Sequence, residues 1–76
     1  MNVAFVLINT DLGLEDDVSK ALKDIPEVKE VYGVYGVYDL VVRLEADNMQ
    51  ELKNAIGSKI RRLNGVRSTL TMMVID

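Results

Sequence analysis

The chain has 76 residues, is 49% hydrophobic, and carries twelve acidic and nine basic residues for a net charge of −3. It contains no cysteine, which excludes disulfides, and without cysteine or histidine a zinc or copper site is not expected; no cofactor is predicted. A single domain over residues 1–76, this short and this apolar, is expected to gain stability by associating with other chains, and a well-packed monomer is the alternative. The negative charge argues against direct nucleic-acid binding, and no apolar run is long enough for a membrane span or a signal peptide, which predicts a cytoplasmic protein.

The first third of the chain predicts a strand, a turn and a helix. Residues 2–9 are nearly all apolar and β-prone at odd and even positions alike, as in a central strand covered on both faces. Residues 10–13 form a turn, and a helix follows from about residue 14 to residue 25, where Pro26 stops it. Acidic side chains in its first turn suit the positive end of the helix dipole. Its apolar stripe consists of Leu14, Val18, Ala21, Leu22 and Ile25.

Two further strands form a predicted hairpin, at residues 28–35 and 37–45, around Gly36, where glycine supplies a backbone angle that other residues rarely adopt. The side chains of the second of these strands alternate between the two faces of the sheet. One face carries Tyr38, Leu40, Val42 and Leu44, and the other carries Asp39, Val41, Arg43 and Glu45. Asp39 stands out, because a carboxylate at the foot of an apolar strand needs a partner.

The last part predicts a second helix and a fourth strand. Asp47 is the expected N-cap, Gln50 completes a capping box, and Asn64-Gly65 ends the helix. The apolar stripe of this helix is Met49, Leu52, Ile56, Ile60 and Leu63. Basic residues that suit the dipole at its end are Lys59, Arg61 and Arg62. The strand covers residues 66–75, with Val66, Ser68, Leu70, Met72 and Val74 on one face and Arg67, Thr69, Thr71, Met73 and Ile75 on the other.

The resulting order, β-α-β-β-α-β, predicts a ferredoxin-like α+β fold with a four-stranded antiparallel sheet. Right-handed crossovers place both helices on the same face of that sheet. The opposite face then carries apolar side chains without cover from the same chain, and such a surface indicates an interaction. A second copy packed sheet against sheet, which gives a dimeric α+β barrel, is the simplest cover.

Several short motifs, in order and on the expected elements, resemble one family. The run Tyr35-Gly36-Val37-Tyr38-Asp39-Leu40 resembles the Gly-x-Tyr-Asp hairpin of the Lrp/AsnC transcription regulators. Gly65-Val66, followed by alternating Thr69 and Thr71, resembles the last strand of that family's effector domain, called RAM for regulation of amino-acid metabolism. Pro26-Glu27-Val28 also fits the start of its second strand, so the resemblance covers essentially the whole chain.

This resemblance implies a non-enzymatic regulatory module that binds a small amino acid. RAM domains pair through their sheets, and the pairs assemble into rings or discs, here expected to be an octamer or a decamer. The effector would lie in a cleft between pairs, where Asp39 takes its ammonium group, Gly36 and Val37 offer backbone groups, threonines supply hydroxyls and tyrosines form walls. Carried over by position, the ligand-binding residues are Tyr35, Gly36, Val37, Tyr38, Asp39, Thr69 and Thr71.

Two features depart from the family pattern. The chain begins at the first strand, without the helix-turn-helix that usually precedes it. A stand-alone module of this kind would reach transcription through mixed oligomers with full-length Lrp/AsnC regulators. The second departure is Tyr35, where the family more often has a small hydroxyl residue, and its ring could narrow the effector pocket.

The same residues admit other interpretations. Asp39 could bind backbone amides of its own turn, the threonines could reflect β-propensity, and the tyrosines could pack at a hairpin or an interface. A small dimeric α+β-barrel enzyme of the monooxygenase or isomerase type shares the outline, but such chemistry usually needs a histidine or an acid–base pair. Tyr38 and Asp39 form the one plausible pair, and neighbours on a strand point to opposite faces. A ligand-free oligomerisation module is a third alternative.

Overall fold

Four antiparallel strands form one sheet, and the helices pack on one of its faces, in the computed structural model, which describes residues 1–75. The elements, in chain order, are Asn2–Thr10 (β1), Glu15–Lys23 (α1), Val28–Gly33 (β2), Leu40–Ala46 (β3), Met49–Asn54 (α2) and Val66–Met73 (β4). A π-helical segment, Ala55–Ile60, extends α2. The predicted order of elements and the ferredoxin-like α+β fold are confirmed.

Strand β1 occupies the interior of the sheet, as predicted, because the strand order is β2-β3-β1-β4. Alternate side chains from Ala4 to Thr10 are buried under the helices, whereas those between them stay partly exposed. Strand β3 alternates in the same way, and Val6 lies opposite Val42, so the buried faces of the two strands coincide. One chain therefore covers one face of its sheet and leaves the other open.

The core lies between the buried sheet face and one stripe of each helix. Val18 and Leu22 of α1 and Leu52 of α2 are fully buried, as their spacing predicts. Ala55 is also buried, which the predicted stripe did not include. Ala55 lies three residues after the buried Leu52, and residues three apart share one face of an α-helix. The π-helical turn comes directly after it, where the N–H of Arg61 donates to the carbonyl of Ile56, five residues earlier, at 3.2 Å. In this wider turn, residues four and five positions apart lie on the same side.

The hairpin between β2 and β3 is more open than predicted. Residues 34–39 form a loop, most of which the predicted strands included. The N–H of Val34 closes this loop by donating to the carbonyl of Asp39 at 3.0 Å. Gly36, near the tip, has a φ of +140°, an angle that favours glycine, as expected. The prediction was too long because β-prone residues continue beyond the point where backbone pairing stops.

A β-bulge changes the predicted faces of β4. Asn9 of β1 pairs with Ser68, but Thr10 pairs with Val66, so Arg67 has no ladder partner on β1. Val66 therefore packs against the core instead of sharing a face with Ser68, Leu70 and Met72. The predicted alternation is confirmed from Ser68 to Met73, where the strand ends before the predicted residue 75.

Asn48, and not Asp47, caps helix α2. The Oδ1 atom of Asn48 accepts a hydrogen bond from the N–H of Glu51 at 2.8 Å. Gln50 does not complete a capping box, because its side-chain amide donates to Oδ1 of Asn54 at 3.2 Å. The cap prediction was wrong by one position, since aspartate and asparagine side by side are equally good N-caps by residue type.

Helix α1 is shorter than predicted at both ends, covering Glu15–Lys23 instead of residues 14–25. Leu14 precedes its first turn and provides no side-chain cap, and Asp24 follows its last turn. No helix in residues 1–75 has the length and apolar character needed to cross a membrane.

The substitution Asn48→Ala should lower the free energy of unfolding by about 1 kcal/mol, because the N–H of Glu51 would lose its capping acceptor. Asp47→Ala is the matched control, and we expect it to change stability by less than about 0.5 kcal/mol. Urea unfolding followed by circular dichroism measures both variants. Equal losses in the two would contradict the assignment of the cap to Asn48.

The substitution Gly65→Ala should destabilise the fold by about 2 kcal/mol or more. Gly65 has a φ of +94°, and a Cβ built there would lie 2.9 Å from Cγ2 of the buried Val18. Gly57→Ala is the control, because a Cβ there meets no atom within 4 Å, and alanine is the better helix former. Thermal unfolding compares the two, and a Gly65→Ala variant as stable as the parent would refute this packing.

Candidate functional site

Asp39 anchors the hairpin loop to the central strand. Its N–H donates to the carbonyl of Ile8 at 2.9 Å, and its Oδ2 accepts from the N–H of Thr10 at 2.8 Å and from the Thr10 hydroxyl at 3.2 Å. The carboxylate partner is therefore on another strand and not in the turn of Asp39 itself. The side chain of Thr10 lies on the helix-covered face, and its bond to Asp39 brings the carboxylate to the same face. The prediction that Asp39 shares the opposite face with Val41 was therefore wrong. The reason is that Asp39 precedes the regular part of β3, where side chains alternate.

Two concave regions border Asp39. A cavity of about 270 Å³ is lined by Asp39 together with residues of β1, α1 and the β4 bulge, including Thr10, Glu15 and Arg67. A wider groove of about 620 Å³ lies between α1 and the hairpin loop, and its volume is within the range of small-molecule sites. Glu15 and Asp39 line both regions, and carboxylates outnumber the one basic side chain in each, Arg67 or Lys23, so this end of the domain favours a ligand with a cationic group.

The other predicted hairpin residues lie in the loop itself. Tyr35 and Val37 are highly exposed, and Tyr38 is partly buried. Tyr35 lines the same groove as Asp39, so the structure brings these two predicted residues together. Exposed apolar side chains on a loop tip indicate a surface that a ligand or another chain covers.

Thr69 and Thr71 lie on the helix-covered face of β4, opposite Ile8 and Val6 of β1. The Oγ1 atom of Thr71 is buried and has no hydrogen-bond partner among the described residues. An unpaired buried hydroxyl costs about 1–3 kcal/mol, so this atom is a place where a ligand could restore a lost bond. Thr71 lines a pocket of about 240 Å³ beside the π-helical segment.

Within one chain, the predicted residues form two separate groups. Ile8 of β1 pairs with Leu40 of β3 on one side and with Thr69 of β4 on the other. Leu40, the neighbour of Asp39, is therefore two strand spacings, or roughly 10 Å, from Thr69. The cavities beside Asp39 and the pocket beside Thr71 share no lining residue. A small ligand in a single chain therefore contacts one group or the other.

The sheet face opposite the helices, called here the open face, is largely apolar near β1 and β4. No other part of the described chain covers it, and Tyr32, Leu70 and Met72 are each about half exposed. The register connects the two edge strands through apolar side chains, because Tyr32 pairs with Val41, Val41 with Leu7, and Leu7 with Leu70. Its apolar residues are Val3, Phe5, Leu7, Tyr32, Val41, Leu70 and Met72.

A row of charged side chains crosses the β2–β3 side of the open face. Arg43 donates to Glu30 through Nε and to Glu45 through Nη1, and the Tyr32 hydroxyl donates to Glu30 at 2.5 Å. The Tyr32 hydrogen bond, and then Arg43, lower the pKa of Glu30, and the same bond raises the pKa of Tyr32. Glu30 and Glu45 together raise the pKa of Arg43. Glu30 and Arg43 therefore stay ionised at neutral pH, and their ion pair bridges β2 and β3.

Sequence patterns did not indicate several residues that line these cavities. Thr10 was assigned to a turn, and Arg67 to an ordinary strand position before the bulge displaced it. Lys53, Gly57 and Arg61 meet Thr71 only because the π-helical segment packs over β4. In the described part of the chain, no three acidic side chains are grouped to hold a metal ion.

Comparison with known proteins gives a consistent result. The model of the family described as the Lrp/AsnC ligand binding domain matches residues 3–76. The HTH-type transcriptional regulator FL11 of Pyrococcus furiosus is 37% identical over 73 residues, which are 96% of this chain and 48% of FL11. The chain thus spans about half the length of the curated relative that it matches.

Solved structures agree. FFRP-DM1 is 44% identical with a TM-score of 0.94, and the match covers 99% of this chain and 100% of that one. TTHA0845 from Thermus thermophilus is 34% identical with a TM-score of 0.94, covering 100% and 95% of the two chains. NMB0573 from Neisseria meningitidis, solved as a complex with L-Met, is 16% identical with a TM-score of 0.88 over 99% of this chain and 50% of that one, which shows a common fold. The family match over nearly all residues, together with these relatives, shows that the chain belongs to the Lrp/AsnC ligand-binding (RAM) domain family of transcriptional regulators.

Proposed function

We propose that this domain is a non-enzymatic sensor that binds a small amino acid beside the hairpin loop and changes its assembly in response. The observation that carries the proposal is the state of the Asp39 carboxylate. Thr10 holds Oδ2 with two hydrogen bonds, and Oδ1 accepts none from the described residues. A fixed carboxylate with one free oxygen, next to a groove, suits an ammonium group, since charge-assisted bonds are the strong ones.

The hairpin loop supplies the other contacts of the proposed site. Backbone groups of Gly36 and Val37 would bind the polar end of the effector, and the rings of Tyr35 and Tyr38 would form its walls. Tyr35 borders the groove that contains Asp39, and its fully exposed ring would pack against a ligand bound there. NMB0573, which has the same fold, was solved in complex with L-Met, so one protein with this fold binds an amino acid, which supports the proposal.

The open face supports a sheet-to-sheet pair of chains. It presents an apolar surface that the described chain leaves uncovered, and a second copy would remove it from water. In further assembly, expected to reach an octamer or a decamer, the hairpin loop of one chain would meet β4 of another. Thr69 and Thr71 of that neighbour would then join Asp39 in one effector site, although within a single chain the threonines lie apart from Asp39.

Regulation would follow from the coupling between ligand and assembly. A ligand shifts an assembly only by its differential affinity for the two states, and a site shared between chains has that property by construction. The assembly would act in the cytoplasm on transcription, through mixed oligomers with full-length Lrp/AsnC regulators. No contact of this domain with nucleic acid or with a membrane enters the proposal.

A ligand-free oligomerisation module is the second candidate. The favouring observation is that Thr10 already satisfies one oxygen of Asp39, so the carboxylate has a structural role without any ligand. In that case Asp39 serves to fix the hairpin loop on β1, and the loop serves only as a contact between chains. The two candidates differ in whether an amino acid binds.

A thermal-shift screen of the standard amino acids should find a few that raise the unfolding temperature, because a ligand of the folded state stabilises it by mass action. Asp39→Asn should weaken the best ligand by about tenfold, since it removes one charge-assisted bond while keeping an acceptor for Thr10. Asp24→Asn, at the exposed end of α1, makes the same charge change and should leave the response intact. If no amino acid stabilises the protein, the ligand-free module is the correct function.

Leu70→Glu should convert the native particle to monomers, because it places a charge in the open face at a half-exposed position that the fold tolerates. Leu12→Glu makes the same change at a fully exposed loop position outside that face and should keep the pair of chains. Sedimentation equilibrium and circular dichroism measure mass and folding of both variants. A parent protein that is already monomeric at micromolar concentration would contradict the sheet-to-sheet pair.

A further inference from the structure

The pocket beside the π-helical segment differs in charge from the other concave regions of the described chain. In the two regions beside Asp39, and in another at the opposite end of the sheet that contains Glu27 and Glu51, the carboxylates outnumber the basic side chains. Each of the three contains one basic side chain, which is Arg67, Lys23 or Lys29. The pocket near Thr71 is lined by two cations, Lys53 and Arg61, and by no carboxylate. In a chain with a net charge of −3, this makes it a local site of positive potential.

Both cations of this pocket are available to a ligand. Neither Lys53 nor Arg61 forms a salt bridge with any residue of the described chain, whereas the nearby Lys59 is paired with Glu27 at 3.0 Å. The dipole of the preceding helix explains why a cation is favoured near its end, but it does not explain an absence of acidic partners in such an acidic chain. An anion in the pocket would supply the missing partner.

The rest of the pocket combines one polar group with apolar walls. The unpaired Oγ1 of Thr71 makes no hydrogen bond in its present rotamer, so a turn about χ1 toward an anion breaks none. Ile56 and Met73 provide apolar surface, and Gly57 leaves open space where any other residue would place a Cβ. A volume of about 240 Å³ accommodates a short branched acid.

We propose that this pocket binds the carboxylate of a small aliphatic acid. Arg61 and Lys53 take its negative charge, the Thr71 hydroxyl donates to one of its oxygens, and its alkyl part packs against Ile56 and Met73. The identity of the natural ligand rests on the proposed function, because an amino-acid effector carries such a carboxylate. The carboxylate-binding chemistry of the pocket does not rest on the proposed function, since Asp39 is not one of the residues that line the pocket.

The test uses three probes of one shape and different charge: isovalerate, isovaleramide and isoamylamine. At equal ionic strength, set with sodium chloride, isovalerate should raise the unfolding temperature of the intact protein, and the neutral amide and the amine should not. An equal response to all three, or to chloride alone, would overturn the proposal.

Variants assign the response to residues. Arg61→Gln and Thr71→Val should each weaken isovalerate by about tenfold, the loss of one hydrogen bond to a charged group. Arg62→Gln is the matched control, since it removes the same charge from the adjacent residue, which does not line the pocket. Thr71→Ser should keep the response, and Thr71→Val without ligand should be at least as stable as the parent, because it replaces an unpaired hydroxyl by a methyl group. Unchanged affinity in Arg61→Gln would overturn the proposal even if a variant of Thr71 failed to fold.

The outcomes separate this proposal from the amino-acid sensor. Asp39→Asn should leave isovalerate binding intact, because Asp39 lies outside the pocket. If amino acids stabilise the protein but isovalerate does not, and Arg61→Gln leaves the amino-acid response unchanged, the sensor proposal is supported and the carboxylate-pocket proposal is wrong. If isovalerate binds through Arg61 and no amino acid binds, the pocket stands and the sensor fails.

Discussion

The structure depends on one geometric constraint: both crossover helices pack on the same face of an antiparallel sheet whose strands are apolar on both faces. The helix-covered face forms the core, with fully buried residues such as Val6, Leu22 and Leu52. The other face, with Leu70 and Met72, is left to solvent or to another chain. A domain of this size without disulfides gains little further stability inside one chain, so the proposed pairing through the open face would add to its stability.

The bond between Asp39 and Thr10 connects this scaffold to the hairpin loop. It joins the start of β3 to the end of β1, so the loop keeps its place although its tip is exposed. In the proposed site, a carboxylate held in this way would lose little entropy when a ligand binds, which would favour affinity. The same bond places the free carboxylate oxygen beside the groove and gives the loop residue Tyr35 a defined neighbour.

Charge is distributed unevenly over the domain. Carboxylates outnumber basic side chains in the cavities near the hairpin, whereas the pocket at the π-helical segment is lined by the cations Lys53 and Arg61 and by no carboxylate. An amino acid carries an ammonium group and a carboxylate, which these two regions would attract separately. The strand spacing keeps the regions apart within one chain, so a shared ligand needs two chains.

The sequence by itself determined the order of elements, the interior position of β1, the helix stripes, and the need for glycine at Gly36, because these depend on periodicity and backbone preferences local to each segment. Only the tertiary structure decided the cap at Asn48, the bulge at Arg67, the π-helical segment Ala55–Ile60, and the partner of Asp39. Each of these is a choice between locally equivalent alternatives, settled by residues distant in the chain. Thr10 and Asp39 are 29 positions apart, and Thr71 meets Lys53 and Arg61 only after the sheet and the helices have packed.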